Sequence, residues 1–105
     1  MTPGERRSDE QALVERIRER LARDPARMNR MRVQWDIATG LIAGYAAASS
    51  KRWKVYEVHH ITIKARIGML RAIEAGAPDA CLWVHAMHVV GFPAAPHPKA
   101  KRCAG

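Results

Sequence analysis

The sequence predicts an all-α fold, a bundle of about four helices over 8–23, 25–48, 52–75 and 78–90 with disordered ends. Three observations point there. Apolar residues recur at three- and four-residue spacing through most of 8–90, and stop-and-restart signals fall at Asp24–Pro25, Gly76–Pro78 and Gly91–Pro93. A chain of 105 residues also has room for one modest core and not two.

In the first helix Ser8 is the expected N-cap, with Gln11 three residues on to complete a capping box and Asp9 and Glu10 in the favourable first turn. Leu13, Val14, Ile17 and Leu21 form its apolar stripe, and Glu15 and Glu19 are spaced to pair with Arg18 and Arg23. Residues 1–7 are read as a flexible terminus.

Asp24 before Pro25 restarts the chain, because the carboxylate accepts orphan amide protons and proline at the first helical position loses no bond. Along 25–48, Met28, Met31, Trp35, Ala38, Ile42 and Tyr45 make one seam, expected to face the core, with self-association as the other use of such a seam. Gly40 and Gly44, four apart, would admit a second backbone and leave a homodimer through this helix open. Arg27, Arg30 and Gln34 occupy the sector that Ile37 and Leu41 take further along, so one face turns from cationic to apolar. Asn29, Arg32 and Asp36 form a polar stripe in which Arg32 and Asp36 are expected to form a surface ion pair.

Ser49 and Ser50 end that helix, and residues 53–63 then fit two periods. A strand would set Trp53, Val55, Ile61 and Ile63 on one side; a helix would align Trp53, Tyr56, His60, Ile63, Ile67 and Leu70 and run on into 64–75. Helix is preferred, because a lone strand leaves its ladder unpaired. The alternative is an α+β arrangement with strands near 53–63 and 82–90. Gly76 is the natural stop, Pro78 and Asp79 open a short buried helix, and residues 93–105 form a basic, proline-rich tail expected to be disordered.

The net charge of +8 points to an acidic partner. Arginine outnumbers lysine 13 to 5, which suits bidentate contacts to phosphate or carboxylate, although codon usage in a GC-rich bacterial genome gives the same bias. The binding residues expected are Arg16, Arg20, Arg23, Arg27 and Arg30 around the first helix junction, joined by Lys51, Arg52 and Lys54. The first reading is a non-enzymatic protein that engages nucleic acid or a nucleoprotein, chiefly through backbone and shape, since neither a helix-turn-helix nor an aromatic sheet is evident. The alternative is an adaptor or inhibitor that docks its arginines on an acidic protein surface and buries Trp35, Ile37 or Leu41 there.

Cys81, His85 and His88 would share a band about 60° wide on a helix, and these residue types are zinc ligands, with His59 or His60 as a fourth. The preferred reading is that the stripe faces water on an otherwise apolar helix, so no metal or other cofactor is assigned. His59 and His60, being adjacent, are expected to split between packing and solvent. Paired acids, a phosphate-binding glycine loop and a GxSxG elbow are absent, so no enzyme is expected. Two cysteines, no apolar leader at 1–10 and an apolar run at 37–48 too short to span a bilayer suggest a cytoplasmic protein off the membrane.

Overall fold

The computed structural model describes residues 3–92, and within them the chain forms four α-helices and no strand. The α+β alternative is thereby excluded, since 53–63 and 82–90 contain no strand and are helical from 55 and up to 89 respectively. The helices are α1 (Pro3–Ala22), α2 (Pro25–Ala48), α3 (Val55–Glu74) and α4 (Leu82–Val89), with a single 3₁₀ turn at Asp79–Cys81 leading into α4. The expected basic tail, 93–105, lies outside the described residues.

Helix α1 starts five residues before the expected Ser8 cap. Pro3 suits a first helical position, and the polar residues after it are compatible with a first turn, so Ser8 becomes an exposed mid-helix residue rather than a boundary. Leu13, Ile17 and Leu21, four apart, are its buried stripe. Glu15 and Glu19 form no ion pair with Arg18 or Arg23, whereas Arg16 of α1 pairs with Glu74 of α3.

The α1–α2 turn is fixed as the sequence suggested. Asp24 Oδ1 accepts the Arg27 amide at 3.0 Å, the Asp24 carbonyl accepts the Met28 amide at 3.0 Å, and Pro25 opens the helix. Met31, Ala38 and Ile42 of the seam are buried while Met28, Trp35 and Tyr45 are half-buried, so the seam faces the core. Gln34 is buried too, and its Oε1 accepts the Trp83 amide at 3.2 Å, giving the first turn of α4 a side-chain partner for one of its orphan N–H groups. Arg32 and Asp36, expected to pair, do not.

Residues 49–54 form the α2–α3 connection, three residues longer than expected. Ser49 Oγ accepts the Lys51 amide at 3.1 Å, and Glu57 Oε1 reaches back to the Lys54 amide at 3.1 Å. Helix α3 buries Ala65, Gly68, Met69, Leu70, Ala72 and Ile73 in its second half. The expected stripe through Trp53, Tyr56, His60 and Ile63 does not join the core. Val58, Ile61, Ala65 and Gly68 turn inward instead, and at about 100° per residue Tyr56, His60 and Ile63 fall nearly opposite them.

Gly76 ends α3 in a Schellman motif. With φ +85° it lets its own amide reach the Ile73 carbonyl at 3.1 Å and the Ala77 amide reach Ala72 at 2.9 Å. Gly91 repeats the device after α4, where the Phe92 amide reaches Met87 at 3.0 Å and the Phe92 ring stands edge-on to Tyr45 and Trp53. Leu82, Trp83, Ala86 and Met87 are wholly buried, so short α4 is the hydrophobic centre that α2 and α3 enclose.

Candidate functional site

The eight expected binding residues do not form one surface. Arg23, Arg27 and Arg30 flank the start of α2, whereas Lys51, Arg52 and Lys54 follow its end; its 24 residues separate the two groups by about 36 Å of helix. One end is largely self-neutralised. Arg16 donates from Nε and Nη2 to the two Glu74 carboxylate oxygens at 3.0 and 3.2 Å. Asp79 takes both Arg27 (Nε 3.4 Å) and Arg30 (Nε 3.1 Å). Three of the five junction guanidiniums therefore face the chain's own carboxylates, and Arg20 and Arg23 remain exposed without an ion pair among the described residues.

The other end has a different character. Lys51 Nζ lies 4.1 Å from the centre of the Trp53 ring and donates to Glu57 Oε2 at 2.9 Å; Lys54 Nζ lies 5.9 Å from the Tyr56 ring. Glu57 consequently titrates below the usual carboxylate range, chiefly through the Lys51 hydrogen bond and then through the Lys54 amide, with a small opposing push from burial. Beside this cluster the first half of α3 exposes Val55 (89%), Tyr56 (68%) and Ile63 (46%). Trp53, Tyr56, Glu57, His59, His60, Ile61 and Ile63 line an open concavity of about 540 Å³. Arg52, Lys54 and Lys64 are exposed and near it in sequence, and the Lys51 and Lys54 ammonium groups adjoin its aromatic rings.

The expected binding residues Lys51, Arg52 and Lys54 lie at this patch, whereas Lys64 and the apolar Val55, Tyr56 and Ile63 were not among them. A usable signal was present: the first half of α3 carries apolar residues on both sides, Val58 and Ile61 as well as Tyr56 and Ile63, more than one packed face requires. His59 and His60 are both exposed, in place of the expected split.

On α4 His85 and His88 are exposed, and Cys81, in the 3₁₀ turn before it, is disulfide-bonded, so no free thiolate is offered beside them. Among the described residues no group of three His, Cys, Asp or Glu side chains is placed to hold a metal, and no helix is long and apolar enough to cross a membrane.

Compared with known proteins, the chain matches no family model, no curated protein and no solved structure.

Proposed function

We propose that this chain is a non-enzymatic binding protein whose partner is an acidic protein surface, engaged by the first half of α3 and the Lys51–Lys54 connection. The observation that carries the reading is the exposure of Val55, Tyr56 and Ile63 on a segment where the Lys51 and Lys54 ammonium groups lie close to the Trp53 and Tyr56 rings. Exposed apolar side chains contiguous with an aromatic pair are costly to leave in water and gain from burial against a partner. Tyr, Trp and Arg are also the side chains that most often anchor protein interfaces.

Nucleic acid is the second reading, and Arg20 and Arg23, exposed at the junction and without an ion pair among the described residues, favour it. It is weaker on three counts. Aliphatic Val55 and Ile63 offer nothing to a base, and the two aromatic rings that could stack bases already have ammonium groups close to them. Phosphate contact at the junction would also compete with Glu74 and Asp79 for three of the five arginines.

The test is capture of partners from a nuclease-treated lysate by the intact chain and by a Val55→Ser/Tyr56→Ser variant. The reading expects a protein retained after nuclease and lost with the variant. Loss of every partner on nuclease treatment, with labelled DNA or RNA shifted by the chain at low salt, supports the second reading and overturns the first.

A further inference from the structure

Independently of the α3 surface, we propose that an open groove between α1, α2 and α3 binds a single-chain amphiphile with an anionic head, of the class of a medium-chain carboxylate. The core seam of α2 is closed only at depth there. Met31 is buried, whereas Met28 and Trp35 are only half-buried, and Leu21 is the one α1 residue that lines the groove beside them. A groove of about 330 Å³ results, floored by Met31, Met69 and Ile73 and flanked by Met28 and Trp35. That volume lies at the lower end of small-molecule sites, about 300–1,000 Å³.

Its chemistry is two-part. The floor is thioether and aliphatic, and unbranched methionine adapts to the changing shape of a flexible tail. Arg32 from α2 and Arg66 from α3 stand at the edges, both exposed, and neither pairs with a carboxylate of the described chain, unlike Arg16, Arg27 and Arg30. Two uncommitted guanidiniums beside an apolar trough match a carboxylate or similar anion at one end of a hydrocarbon chain. A second copy of this protein is disfavoured as occupant, because each carries +8 and two such copies repel.

The experiment titrates the intact chain with sodium decanoate below its micelle concentration, with decanol and decyltrimethylammonium as matched tails of other charge. Decanoate is expected to bind about tenfold more tightly than either, the difference that a charge-assisted contact supplies. Arg32→Gln/Arg66→Gln should bring decanoate down to the level of decanol while leaving the melting temperature in place, since both side chains are exposed. Brominated decanoate should quench tryptophan emission, and Trp35→Phe should remove most of that quenching, because Trp83 is sealed in the core and Trp53 lies beyond the far end of α2. Equal binding of the three amphiphiles, quenching indifferent to Trp35→Phe, or an unchanged decanoate affinity in the double arginine variant overturns the proposal. A last arm separates sources: attachment to phosphatidylglycerol vesicles without uptake of monomeric decanoate would assign the arginines to a lipid surface and equally overturn the groove as a site for a free amphiphile.

Discussion

At the residue scale, Gly68 shows how closely α4 lies on α3. A Cβ added there would stand 2.6 Å from Val89 Cγ2 and 3.0 Å from Val89 Cβ, and the branch point of a short side chain has little room to retreat. Gly68→Ala should therefore destabilise the fold by about 1–3 kcal/mol, the usual cost of overpacking, despite alanine's better helix propensity. Chemical denaturation checks this, and adding Val89→Ala, at a half-exposed position, should recover much of the loss.

Glu57 gives a second prediction at the same scale. Its folded-state carboxyl titrates below the unfolded one because Lys51 and the Lys54 amide favour the anion. Its contribution is thus complete above the ordinary glutamate value of about 4.3 and is lost as pH falls through the lower folded value. Carboxyl NMR titration should place Glu57 below the other glutamates, and Glu57→Gln should flatten the acid limb of stability below about pH 4.5. A Glu57 midpoint equal to that of an exposed glutamate would contradict the Lys51 contact.

At the element scale, the α1–α2 turn and the ends of α3 and α4 were legible in the sequence because each is decided locally. Asp24–Pro25 caps α2, and Gly76 and Gly91 take the positive φ that their Schellman motifs require. The start of α1 was missed because Ser8 has the side chain of a cap while Pro3, upstream, has the backbone for one. The period of α3 identified a helix, but which of its two apolar sides turns inward depends on where α2 and α4 lie, and that is not written in 53–63. The ion pairs of Arg16 and Arg30 were invisible for a similar reason, their partners being 58 and 49 residues away. Local spacing suggested Glu15–Arg18 and Arg32–Asp36 instead.

Helix α2 carries a prediction about assembly. Nothing approaches within 4 Å of a Cβ added at Gly40 or Gly44, and both are exposed. If that face is in water, Gly40→Ala and Gly44→Ala should each stabilise the chain by about 0.5–1 kcal/mol through helix propensity alone. If a second copy packs there, the same changes should weaken a dimer in sedimentation and lower the melting temperature in a concentration-dependent way.

On the scale of the whole molecule, an excess of positive charge is divided between two ends of unlike design. The junction end ties its arginines to Glu74 and Asp79, exposed contacts each worth about 0–1 kcal/mol, so they do little for stability while lowering the local potential. Glu74→Gln/Asp79→Asn should hence cost little stability yet raise the affinity for duplex DNA and steepen its salt dependence, as three more guanidiniums become available to phosphate. An unchanged affinity would mean that the junction is not an anion surface even when freed. At the α3 end Lys51 pairs with Glu57, and Lys51 and Lys54 lie close to the Trp53 and Tyr56 rings beside the exposed Val55 and Ile63.

Hydrogen exchange of the chain alone and with a partner captured from nuclease-treated lysate tests this division most directly. Slowed exchange concentrated in 53–63, and absent from a Val55→Ser/Tyr56→Ser complex prepared at the same concentration, is the predicted result. Protection centred on 16–30 with 53–63 unchanged would contradict it and return the binding surface to the arginine junction.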